Sequence, residues 1–307
     1  MSTPPGAAVR LAAPLRALRA EATALFDLAV ARAWDAADRT TLAAMRDRAA
    51  ALLGHPAGRR VRSDDPVVAD CVEFAEQFVL DVAGVGEVQR ERLRRHLGGP
   101  ALTDLVRAFH VVEYGLRLEL ASARLFDGPL LAGSPGPAGP DGDPSTALRA
   151  ATTDFQDAAV RGRALDPVLT ELVRLRCART HGCRICQTLR LADAREAGVD
   201  DAMTAAVDRY ESSDLAERSK AALRVADAVV LLPSGLTAEV VAGVHGQLGA
   251  EELAELCLDV TKWSTQKVHV ALGTDGAERL PLNEQGVSFF SFDEAGRVAG
   301  FSADLHG

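Results

Sequence analysis

The sequence predicts an all-α protein made of two tandem helical lobes, with a small β-hairpin possible at its C-terminus. Three observations carry that expectation. Ala, Leu, Val and Arg dominate, while aromatic residues make up only 5% of the 307 positions, so good helix formers abound and strand-favouring rings are scarce. Apolar residues recur at helical spacing between ordinary start and stop signals. A set of identities also recurs at one fixed offset, the mark of an internal repeat in a chain long enough for two cores.

The offset is 151 positions. It pairs Ala75 with Ala226, Val79 with Val230, Leu80 with Leu231 and Gly84 with Gly235. It also pairs Leu97 and Gly98 with Leu248 and Gly249, Leu102 with Leu253, and Leu105 with Leu256. The glycines fall where helices must end. The first copy, residues 1–126, has Arg32 and Asp35 near the place where the second copy has cysteines, so it reads as a scaffold lobe without thiol chemistry. Residues 127–147 are rich in Gly and Pro and read as a linker. Residues 148–280 form the second lobe and 281–307 a tail.

Punctuation sets the second lobe's elements. Asp166 and Pro167 supply an N-cap and a first-turn proline for a helix running towards Gly182. A second helix is expected from the Cys183–Cys186 pair to Gly198. Asp214 to Glu217 has capping-box spacing and opens a helix that ends before Pro233. Two more are expected over roughly 237–248 and 251–272, closed by Gly249 and Gly273. In the tail, residues 287–292 and 297–301 flank the turn 293–296, which predicts a hairpin able to cover Trp263.

Bulk properties narrow the function. A formal charge of -9 argues against a general nucleic-acid-binding surface. No apolar run reaches the length a bilayer needs and the N-terminus has no signal-peptide pattern, so a soluble, cytoplasmic protein is expected. The five cysteines, at 71, 177, 183, 186 and 257, lack the even spacing of a secreted disulfide scaffold. Cys71 and Cys257 sit alone on apolar helix faces and read as core, as does Cys177.

Cys183 and Cys186 form a Cys-x-x-Cys at a helix start. That spacing sets the sulfurs within disulfide reach, and the helix's positive end favours thiolate over thiol. From Arg174 to Arg190 there are five arginines, one histidine and no carboxylate, an electropositive stretch in an acidic protein. On a continuous helix Arg190 would share a face with Cys186 and steady a thiolate or an anion.

The run from Glu171 to Arg190, ELVRLRCARTHGCRICQTLR, resembles the active-site helix pair of AhpD-like alkylhydroperoxidases and carboxymuconolactone decarboxylase-like proteins. The resemblance extends to about Gly273, including AALRVADAVVLLPSGLTAEVV, and more weakly through the first repeat. It implies an all-α fold and a homo-oligomer. It also implies a mechanism in which Cys186 attacks a hydroperoxide, Cys183 resolves the sulfenic acid as a disulfide, and a dithiol protein reduces the pair. Glu171, twelve residues before Cys183, would begin the proton relay. The family places a His four residues after the second Cys; here that residue is Arg190, which does not titrate near neutrality. His181 is the substitute base if its loop folds back.

Three rival readings stand beside this one. A decarboxylase-like lyase would hold a small anionic substrate on the arginines. A redox-sensing scaffold would switch the cysteine pair without turnover. A zinc site from His181, Cys177, Cys183 and Cys186 ranks last, because the spacing is cramped and the surroundings are cationic. Neither a metal nor another cofactor is expected.

Overall fold

A computed structural model describes residues 10–128, 139 and 142–305, so most of the predicted linker lies outside the described residues. The first half contributes α1 (Ala13–Leu18), α2 (Ala20–Ala36), α3 (Arg39–Leu53), α4 (Pro66–Leu80), α5 (Glu87–Leu97) and the long α6 (Gly99–Leu125). Helix α7 (Pro144–Val160) leads into α8 (Pro167–Thr180), α9 (Arg184–Thr188), α10 (Ala192–Glu196) and α11 (Asp201–Ala206). The chain continues through α12 (Glu217–Val230), α13 (Ala238–His245), α14 (Ala250–Trp263) and α15 (Lys267–Leu272). The fold is all-α with a small β element, as the composition and helical punctuation predict.

Local chemistry sets most helix starts. The Asp166 carboxylate accepts the Leu169 N–H at 2.9 Å and Pro167 opens α8, satisfying one orphan donor while omitting another. Helix α12 begins at Glu217 with Ala216 as its uncapped N-cap, two residues beyond the Asp214 cap expected from the sequence. Burial of Leu215 docks the chain entering that helix, and the exposed Asp214 is left outside it.

Elements repeat at the same offset as the residues. Moving 151 positions from α4 lands on 217–231, one residue past the end of α12, and the 3-10 turn Val82–Gly84 lands on Pro233–Gly235. Moving α6 by the same amount covers α14, a 3-10 turn and α15. The two sets share one buried cluster that runs from Leu11 to Ala271.

Helix α6 is the axis of that cluster, and a buried charge ties both sets to it. The fully buried Arg117 donates to Glu113 at 2.6 Å and to the carbonyls of Val79, Val229, Val230 and Leu231 at 2.7–3.1 Å. Those carbonyls are the orphan acceptors at the C-terminal ends of α4 and α12, so one guanidinium terminates both helices. Lys267 adds a second buried cation on Glu113 at 2.9 Å.

The tail forms the predicted hairpin, β2 (Ser288–Phe292) with β3 (Val298–Ser302), paired antiparallel. It also recruits a third strand. Residues Leu189–Leu191, expected in the middle of a helix, form β1 and pair in parallel with Ser288–Phe290. The helix expected from the cysteine pair to Gly198 is therefore two short helices, α9 and α10, separated by a strand. Leu191 and Phe290 pack with Ala194 and Val199 in a small second core, and burial there outweighs the helical propensity of the intervening residues.

Candidate active site

Helix α8 ends at Thr180, and Gly182 turns the chain with a φ of +64°, where a side chain would be strained and its Cβ would meet the Ala83 Cβ at 2.9 Å. The turn delivers Cys183 as the N-cap of α9. Its sulfur accepts the Cys186 N–H at 3.3 Å, and the two cysteines are joined as a disulfide. Cys183 is fully buried, whereas Cys186 retains a little exposure, at 8%.

Asp275, from the segment after α15, holds this loop in place. Its carboxylate accepts the Arg184 N–H at 2.9 Å and the Arg184 guanidinium at 3.0 Å, and its carbonyl accepts the Ile185 N–H at 2.9 Å. Burial works against the Asp275 carboxylate, but the hydrogen bonds from Arg184 outweigh it and hold its pKa below the ordinary value.

Glu171 and Arg174 form the other support. Both are buried, and the guanidinium forks onto the carboxylate at 2.6 and 2.8 Å. Its remaining donors reach the carbonyls of Cys186 at 2.9 Å and Leu189 at 2.5 Å. A bidentate arginine is rigid, so this bridge fixes the backbone on which Cys186 sits. Glu171 bears on Cys186 through Arg174.

Two cavities lie against this bridge. One, of about 210 Å³, is polar and holds Glu171, Arg190, Arg195, Asp201 and Asn283 in its wall. The other, of about 200 Å³, holds Cys186 with Arg174, Ile185 and Leu189 from the loop side. Its lining also includes Lys262 and Trp263 from α14 with Phe290, Phe292 and Phe301 from the hairpin. The rings interlock: Phe292 lies 5.9 Å from Trp263 and 5.4 Å from Phe290 between centroids, and the Arg174 guanidinium lies 5.7 Å from the Phe290 centroid. The tail covers Trp263, and in doing so it contributes aromatic rings to the cavity that Cys186 lines.

The remaining sequence-derived candidates are dispersed. Arg190 lies on β1, not on the helix of Cys186, and donates to the carbonyls of Gln187 and Leu189 at 2.8 and 2.7 Å. Burial and the nearby Arg174 charge lower its pKa from the ordinary arginine value. His181 is buried against the Tyr114 hydroxyl at 3.2 Å, and burial with the charges of Lys267 and Arg117 keeps it neutral. Cys71, Cys177 and Cys257 are free and buried, their thiols pushed up to about 12 chiefly by burial. Among the described residues, no group of three or more His, Cys, Asp or Glu side chains is placed to hold a metal ion. Arg174, Asp275, Lys262 and the hairpin rings belong to the site although no motif marks them.

Residues 146–228, the segment that carries α7, α8 and the cysteine pair, match the model of the carboxymuconolactone decarboxylase family. The chain belongs to that family. Two Mycobacterium tuberculosis relatives, uncharacterized proteins MT2376 of strain CDC 1551 / Oshkosh and Rv2313c of strain ATCC 25618 / H37Rv, are each 36% identical to it over 236 residues. Each alignment covers 74% of this chain and 82% of the relative. No solved structure matches the chain. The family match spans the bridge from Glu171 to Arg174 and the disulfide, whereas Lys262, Asp275 and the hairpin lie beyond it. Among the described residues, no helix of this family member is long and apolar enough to cross a membrane.

Proposed function

We propose that the chain is a thiol-dependent hydroperoxidase or disulfide oxidoreductase that cycles the Cys183–Cys186 pair. The observation that carries this reading is the disulfide itself, set between a buried arginine bridge and an apolar cavity that Cys186 lines. In the reduced protein Cys186 is the attacking sulfur, since it faces the cavity, and Cys183 is the buried resolving thiol. The Cys186 thiolate attacks the distal oxygen of ROOH, the O–O bond breaks, and a sulfenic acid and an alkoxide form. Cys183 displaces water from the sulfenic acid, and an external dithiol protein returns two electrons to the disulfide. Mixing the reduced protein with organic hydroperoxide in stopped flow tests this. One disulfide per peroxide consumed is expected, and unreacted thiols at excess peroxide overturn it.

A lyase acting on a small anion draws support from the polar cavity, where, among the described residues, Arg190 donates to the carbonyl oxygens of Gln187 and Leu189 and to no carboxylate. Activity on an anionic lactone or acid that survives Cys183→Ser/Cys186→Ser and is lost in Arg190→Met would favour that reading instead.

A further inference from the structure

The amine of Lys262 is buried, the residue lines the Cys186 cavity, and among the described residues the amine has no hydrogen-bond partner. Its Nζ lies 3.1 Å from the Trp263 ring centroid and 4.1 Å from that of Phe292. The ionisable groups that act on it are Asp259 one turn back on α14, Arg174 on α8 and Asp157 on α7, and Cys186 on α9 lines the same cavity. From strands β2 and β3, among the described residues, the cavity is lined by Phe290, Phe292, Val298 and Phe301. An ammonium held this way is costly, because it loses its hydration and regains the attraction of ring faces and of more distant carboxylates without a hydrogen bond to any of them. Burial, aided by Arg174 and opposed by Asp259 and Asp157, pushes its pKa well below the ordinary value and so favours the neutral amine, the form that can accept a proton.

We propose that Lys262 is the proton acceptor for the Cys186 thiol and the proton donor to the departing alkoxide, the work that Arg190 cannot do. This rests on the hydroperoxidase reading above. In the reduced protein the thiol proton passes to the amine, leaving a thiolate and an ammonium in one low-dielectric cavity, where each is the other's counter-charge. The thiolate bonds to the distal peroxide oxygen as the O–O bond breaks. The alkoxide takes the ammonium's proton and leaves as an alcohol, and the amine is neutral again. Both electrons that cleave the O–O bond come from sulfur, and Cys183 completes the step by expelling water. The surrounding rings select for an apolar R group.

The test reads the thiol without any peroxide. In reduced Cys183→Ser protein, the rate of Cys186 alkylation by iodoacetamide is followed against pH by peptide mass spectrometry, with and without Lys262→Met. With the lysine present, the rate is expected to rise with a midpoint below that of a free thiol, about 8.5. With methionine, the midpoint is expected to rise by at least about one pH unit and the rate at pH 7 to fall about tenfold or more. Superimposable profiles from two folded proteins overturn the proposal, with Lys262→Gln repeating the comparison if the methionine variant does not fold. A shifted profile in a protein that consumes no hydroperoxide leaves the lysine–cysteine couple standing and removes the peroxidase reading. Unshifted profiles alongside undiminished turnover remove the lysine's role alone.

Discussion

Replacing Arg174 with Met removes the bridge between Glu171 and the cysteine loop while nearly preserving side-chain volume. The Glu171 carboxylate, buried to 1% exposure, would lose both of its fork bonds, and breaking a buried pair from one side costs about 3–5 kcal/mol. The carbonyls of Cys186 and Leu189 would also lose a charged donor, adding about 1 kcal/mol each where water from the cavity replaces it only in part. The single variant should therefore lose about 5–7 kcal/mol, a large share of a typical domain's stability. In Glu171→Met/Arg174→Met the stranded charge is gone, so the loss should fall to about 2 kcal/mol and the double variant should be more stable than the single. Urea unfolding at pH 7, followed by circular dichroism with the slope checked for constancy, measures both. A single-variant loss under about 1 kcal/mol, or a double variant less stable than either single, would refute the claim that this pair anchors the loop.

Two further outcomes follow from the same geometry. Burial, with the charges of Lys267 and Arg117, depresses His110 to about 3, and His181 is depressed likewise, so the unfolded chain takes up their protons first on acidification. The stability they contribute is complete above the unfolded value of about 6.5 and is lost as pH falls towards their folded values, at about 1.4 kcal/mol per pH unit for each. Urea unfolding at pH 7 and pH 5 should show that fall, with His110→Phe reducing its slope; equal stability at both pH values would contradict it. Phe290→Ala should cost about 3 kcal/mol by emptying the second core, and should speed modification of reduced Cys186 by bulky maleimides by opening the ring wall. Unchanged maleimide kinetics in the folded variant would show that the hairpin does not gate the cavity.

Much of the fold was legible because it rests on local signals. Asp166 and Pro167 start α8, Gly182 and Gly273 take left-handed turns after α8 and α15, and the tail's two apolar runs pair as a hairpin. The strand at Leu189–Leu191 was not legible, since its partner lies about a hundred residues later and helical propensity favoured the wrong element. That same strand removes Arg190 from the helix face on which spacing alone would put it beside Cys186.

The candidate site divides in the same way. The cysteine pair could be found because its spacing is short and chemically specific, whereas Glu171 was marked only by the resemblance to the family's active-site helix pair. Arg174 was visible only as one arginine among five, and its role depends on carbonyls presented by a loop that the sequence does not draw. Asp275 reaches Arg184 across 91 positions, and Lys262 and Cys186, far apart in the chain, line one cavity to which the hairpin also contributes. His181 had the right chemistry for a base, but the turn at Gly182 carries it into the core beside Tyr114.

The most direct measurement is the fate of reduced Cys183 and Cys186 on addition of one equivalent of an apolar hydroperoxide such as cumene hydroperoxide, read by rapid quench and peptide mass spectrometry. The expected result is a sulfenic acid on Cys186 that decays into the Cys183–Cys186 disulfide, with Cys183→Ser trapping the sulfenic acid. Oxidation that starts at Cys183, or thiols that survive while the peroxide remains, would contradict it.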